Sequence, residues 1–160
     1  MSLIGILTEH KNESYLKKQL EKMNLDDVFF FSENTIENMH NIKFETLLLG
    51  KKLEKNQEFI RDMAQKANYF VINSDIKENL SILENLNLML ITYGYNRKAT
   101  ITASSIEENN MMICLQRSIK NVYQEEVEPQ EIEIKITENI NDEAVIELAC
   151  LDFLYKKRRE

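Results

Sequence analysis

Glycine, proline, cysteine and histidine are scarce in this chain, and tryptophan is absent. Three glycines and one proline in 160 residues leave no stretch of the kind that links separate domains. One domain over 1–160 is therefore expected, with a parallel α/β part at 1–96 and antiparallel strands plus a helix at 97–160. The two cysteines, Cys114 and Cys150, and the two histidines, His10 and His40, show no metal-ligand spacing, so no metal and no cofactor is expected. Both cysteines lie in apolar segments and are expected to be buried and reduced. No apolar run approaches the roughly 20 residues that cross a bilayer. The N-terminus has no basic region followed by a long apolar run, as a secretory signal would. A cytoplasmic protein without a membrane partner is expected. Positive charge is also in deficit: 20 Lys and Arg face 27 Asp and Glu, for a net charge of −7. Such a chain lacks the broad basic surface that nucleic acid requires. The only basic cluster, Lys156, Lys157, Arg158 and Arg159, reads as a solvated helix end favoured by the helix dipole.

What is present is a globular composition, 43% apolar and 29% charged. Short apolar runs at Ser2–Leu7, Asp27–Phe31, Thr46–Leu49, Tyr69–Ile72 and Leu88–Tyr93 read as strands. The three phenylalanines Phe29–Phe31 and the run Leu88–Ile91 suggest burial on both faces. Helical spacing separates these strands: Leu16, Leu20 and Met23; a short helix or turn at Asn34–Met39; Phe59, Ile60, Met63 and Ala67; and a helix near Ile76–Leu83. Strands alternating with helices predict a Rossmann-like, mostly parallel sheet. The pattern then changes. Gly94 breaks the fifth strand, and Ala99, Ile101 and Ala103 alternate with Thr100, Thr102 and Ser104. Lys98–Ser104, Met111–Gln116 and Glu131–Ile136 are expected antiparallel strands with short links. A final helix, capped by Asn141, carries the stripe Ala144, Val145, Leu148, Leu151, Leu154 and Tyr155.

Three features resemble the central, ATP-binding domain of the Mur ligases, enzymes that join an amino acid to a carboxylate. YFVINSD at Tyr69–Asp75 resembles the family's strand ending in Asn-Ala-Asp-Asp. LITYGYNRKATITASSI at Leu90–Ile106 resembles its Thr-Tyr-Gly turn and the strand that follows. The spacing from Asn73 to Gly94 is also similar. The likeness covers roughly residues 69 to 136, with a weaker continuation at Leu3–Leu7 and Phe44–Asn56. It implies a shortened central domain without the family's N- and C-terminal domains.

The departures bear on chemistry. A phosphate loop needs glycines, so that backbone N–H groups close around the anion, and a lysine. Here the first strand is followed by Thr8, Glu9, His10, Lys11, Asn12, Glu13 and Ser14, with no glycine and two carboxylates. Where the ligases carry a metal-linked histidine stand Gly50, Lys51, Lys52, Leu53 and Glu54. Ligase chemistry by the family's route is not expected, and no catalytic residue is named. Asn73 and Asp75 are the binding candidates. They follow a parallel strand's C-terminal end, where open α/β sheets bind ligands, and the resemblance places Asn73 near an adenine. Both are equally suited to a turn and helix cap. His10 with Glu9 and Glu13 reads as an exposed loop group. Tyr93, Tyr95 and Arg97 admit either a stacking surface or packing between the two parts. Ser104 and Ser105 lack a nucleophile elbow.

The function expected is that of a non-catalytic Mur-ligase-like domain, an interaction or regulatory module linked to cell-envelope metabolism, with a protein partner or self-association. The alternative is a small-molecule binder, for an adenine nucleotide, that uses the Asn73 and Asp75 end of the sheet.

Overall fold

The computed structural model describes residues 3–39, 41–136 and 139–158. Ser2, His40 and Arg159, named above, lie outside them. The chain runs β1 (Ile4–Leu7), α1 (His10–Lys22), β2 (Val28–Phe30), a 3₁₀ helix (Ile36–Met39), β3 (Thr46–Leu49), α2 (Gln57–Lys66), β4 (Tyr69–Asn73), a second 3₁₀ helix (Lys77–Leu83) and β5 (Met89–Tyr93). It continues with β6 (Ile101–Ile106), β7 (Asn110–Leu115), β8 (Ile119–Lys120), β9 (Glu126–Val127), β10 (Gln130–Lys135) and α3 (Asp142–Tyr155). Across the main sheet the order is β2, β1, β3, β4, β5, β6, β7, β10, with β8 and β9 as a separate hairpin. Strands β1 to β5 are parallel, and β6, β7 and β10 pair antiparallel. This is the α/β class expected, with the antiparallel unit and C-terminal helix in place.

Alternation along the central strands sends side chains into two cores. Leu48 and Val71 join Leu16 and Leu20 of α1 and Val145 and Leu151 of α3 on one face. Leu47, Leu49, Phe70 and Ile72 meet Ile60 and Met63 of α2 on the other. Strands covered on both sides need apolar residues at every position, as IGIL and TLLL supply. The antiparallel unit is covered on one face only. Met111, Ile113 and Leu115 are buried against the α3 side, while Met112 and Cys114, between them, are half-buried. A bulge between Ala103 and Ser105 bends β6.

Several expectations need correcting. Phe29 is 41% exposed and only Phe31 of the three phenylalanines is buried, because β2 is a three-residue edge strand. Met89 and Leu90 are 43% and 38% exposed. Strand β6 meets β5 only at Tyr93 and Ile101, so the lower half of β5 is in effect an edge. Cys114 is half-buried, unlike Cys150, since it faces the uncovered side. The stripe expected on α3 is instead burial almost all round, with Ala144 to Leu151 and Phe153 to Tyr155 inside. A helix flanked by a sheet, a neighbouring helix and a hairpin has no wet face. Asn141 makes no side-chain cap bond. Helix α3 ends at Tyr155, so Lys156 to Arg158 lie beyond it: Lys157 sits 5.9 Å from the Tyr123 ring centre and Arg158 5.7 Å from that of Phe153.

The end of α3 is fastened by Asn121, which is fully buried. Its Oδ1 accepts from the Tyr123 and Glu125 N–H groups, and its Nδ2 donates to Glu125 Oε1 at 3.0 Å and to the Lys156 carbonyl at 3.3 Å. Asn121→Ala leaves these groups without partners. It is expected to cost about 1–3 kcal/mol, read as a lower urea midpoint at unchanged slope.

Candidate functional site

In an open α/β sheet, ligands bind beyond the C-terminal ends of the strands where the strand order reverses. With the order β2, β1, β3, β4, β5, that point lies between β1 and β3. The residues leaving these two strands are Thr8 and Gly50. Between them sits Glu147, a fully buried carboxylate from the middle of α3. The Thr8 hydroxyl lies 2.8 Å from Glu147 Oε1 and 2.9 Å from Oε2, and the Tyr93 hydroxyl donates to Oε2 at 2.6 Å. Thr8 in turn accepts from Asn12 Nδ2 at 3.3 Å, and Asn12 Oδ1 accepts from Asn141 at 2.9 Å. One hydrogen-bonded line thus joins the ends of β1 and β5 to α1 and to the start and middle of α3.

Glycine at position 50 is a matter of space. A Cβ there would run into the Glu147 carboxylate and the Tyr93 hydroxyl. Gly50→Ala is therefore expected to destabilise by at least about 1–3 kcal/mol through overpacking, seen as a lower thermal midpoint.

Burial raises the Glu147 carboxyl to about 7. The Tyr93 and Thr8 hydrogen bonds pull it down, and Glu143 and Glu9 push it up again. Burial and Glu147 likewise raise the Tyr93 phenol well above its ordinary value. A carboxyl raised on folding gives stability that is complete at acid pH and lost as pH climbs toward and through 7. Wild-type unfolding free energy is expected to fall between pH 5 and 8, by about 3 kcal/mol at most. Glu147→Gln, which keeps an acceptor but cannot ionise, is expected to flatten that fall in urea titrations at each pH.

Beside Glu147 lies a cleft of about 610 Å³, lined by Gly50 and Tyr93 and by residues that include Glu9, Lys11, Lys52, Asn73, Asp75, Ile76, Tyr95, Glu143 and Ile146. The two candidates from the sequence both border it, and they differ. The exposed Asp75 serves the β5–β6 turn: its carboxylate accepts from the Tyr95 N–H at 2.6 Å, and from the Asn96 N–H and Nδ2 at 3.3 and 2.7 Å. Gly94, at φ +153°, lets the chain pass this carboxylate where a Cβ would collide with it. Asn73 is 4% exposed. Its Oδ1 accepts from the Asp75 N–H at 2.9 Å, and its Nδ2 has no protein partner among the described residues.

The remaining expectations fall as follows. His10 opens α1 with its side chain 96% exposed, 3.4 Å from Glu13. Tyr93 is buried while Tyr95 and Arg97 are exposed, so the three form no common stacking surface. Ser104 donates to Glu131 at 2.7 Å. In the segment 50–56, Asn79 bonds Leu53 N–H and the Lys51 carbonyl, and Glu33 accepts from Glu54 and Lys55 N–H. Among the described residues no group of three or more His, Cys, Asp or Glu is placed to hold a metal ion, and no helix is long and apolar enough to cross a membrane. Sequence reasoning missed Glu147. The signal was an acid flanked on both sides by apolar residues in AVIELACLDFL, a segment of the most apolar helix described, which also holds Asp152; a charged residue in such a setting is expected to be paired.

Around the cleft the charge is mostly negative. Burial lifts the Glu143 carboxyl above its ordinary range; Lys11 opposes this, and Glu9, Asp75 and Asp142 add to it. Tyr95 is pushed up to about 12 by burial and by Asp142, Glu143 and Asp75. No protein-family model matches the sequence, and no curated protein matches it.

Proposed function

We propose that this chain is a non-catalytic domain of Mur-ligase-like design that works by binding, as an interaction or regulatory module. The resemblance points to cell-envelope metabolism as its setting and to a protein partner or a second copy as its counterpart. One observation supports the loss of catalysis: the turn after β1 is short, and its hydroxyl is committed to a buried carboxylate. Only Thr8 and Glu9 connect β1 to α1, too short a link to wrap a triphosphate. The Thr8 hydroxyl is spent on Glu147, and Glu9 and Glu13 bring negative charge to the helix start. Lys51 and Lys52, in place of a metal-linked histidine, make a poor magnesium site.

The second reading, a small-molecule binder, is favoured by the Asn73 carboxamide nitrogen, which borders the cleft with no protein partner. Asp75 borders the same cleft, with its carboxylate also holding the turn. Adenine nucleotide remains the ligand of this second reading, its phosphates opposed by Glu9 and Glu143. Calorimetric and thermal-shift titrations with ATP, ADP and a UDP-sugar, with and without magnesium, test both. The expected result is no saturable heat and no shift at millimolar ligand. Saturable binding of ATP would establish the second reading and remove the first.

A further inference from the structure

The cleft beside Glu147 borders four side-chain carboxylates, and two of them are already engaged. Asp75 holds the β5–β6 turn, and Glu78 faces Lys52 at 3.8 Å. Glu9 and Glu143 make no side-chain hydrogen bond among the described residues. Both are half-buried, and burial together with Glu9 raises the Glu143 carboxyl above its ordinary range. Among the described residues Lys11, which is exposed, is the other cation on the lining besides Lys52, and its charge favours the Glu143 carboxylate. An acidic wall alone would be no more than a solvated rim. The second observation is Asn73, which is 4% exposed yet presents an unpartnered N–H donor at the cleft wall. A donor that reaches the cleft without a protein acceptor is suited to an acceptor from outside. Ile76, Ile146 and Tyr95 supply apolar lining nearby, and mostly apolar walls with a few fixed polar groups are the ordinary form of a small-molecule site.

We propose that this cleft binds a small organic amine that also carries a neutral carbonyl: the ammonium lies against Glu9 and Glu143, the carbonyl accepts from Asn73, and an apolar body rests on Ile76 and Ile146. The proposal rests on the reading above that phosphate is excluded, and it gives that site a ligand class. A carboxylate in place of the carbonyl group would meet the same repulsion as phosphate.

Four probes of one size separate the contacts in ¹⁵N–¹H correlation titrations of the full chain at low salt. Leucinamide has the ammonium and the carbonyl, isoamylamine only the ammonium, 4-methylpentanamide only the amide, and leucine an added carboxylate. Leucinamide is expected to shift the amides of 73–76, 93–95 and 143–147 saturably. Each of the other three is expected to bind about tenfold more weakly, the effect of one charge-assisted contact. Glu143→Gln, with its fold checked by the same spectrum, is expected to weaken leucinamide about tenfold and leave 4-methylpentanamide unchanged. The proposal is overturned if leucinamide gives no saturable shift, if 4-methylpentanamide binds as tightly, or if Glu143→Gln has no effect. ATP is titrated in the same series. If neither ATP nor leucinamide binds, this inference fails alone; if ATP binds, the loss of phosphate binding fails instead.

Discussion

A carboxylate taken out of water needs partners, and the Glu147 side chain finds them in Thr8 and Tyr93. Those partners sit at the ends of β1 and β5, on either side of the space left by Gly50 after β3. The contact thereby fixes how α3 lies against one face of the sheet. Leaving the carboxylate buried without its donors would be strongly unfavourable, so the helix has one register in which its acid is satisfied. The same contact also fills the place where this topology ordinarily receives a ligand.

Two consequences follow for chemistry. The first is that the strand-order reversal between β1 and β3 becomes an internal joint, stabilised by a line of hydrogen bonds that runs on through Asn12 to Asn141. The second is that the open space next to this joint, a cleft that Gly50 and Tyr93 also line, is bordered by Glu9, Glu143 and Asn73. Its negative walls oppose phosphates and favour cations. The turn between β5 and β6 closes one side of this cleft, and Asp75 holds that turn through three hydrogen bonds. Asp75 thus borders the cleft and holds the turn at once.

The parallel half was legible because strands buried on both faces must be apolar throughout, and Ile4–Leu7 and Thr46–Leu49 are. The antiparallel half was legible from alternation, as in QEIEIK at Gln130–Lys135. Exposure was less legible. FFF and LMLI read as interior, but β2 is an edge and the lower half of β5 lacks a neighbour, and local pattern carries no information about which strand lies beside which. Asn73 and Asp75 were found because turn residues after a parallel strand are few. Their separate roles depended on Tyr95 and Asn96, about twenty positions further along the chain.

By itself the sequence determined the element types, the two-part plan and the absence of a glycine-rich phosphate loop, because each follows from side-chain periodicity or composition over a few residues. Only the tertiary structure decided that Glu147 meets Thr8, 139 positions away, and that an acidic cleft lies beside this meeting. Hydrogen bonds between distant segments depend on where the sheet and helix carry their ends, and no local pattern encodes that placement.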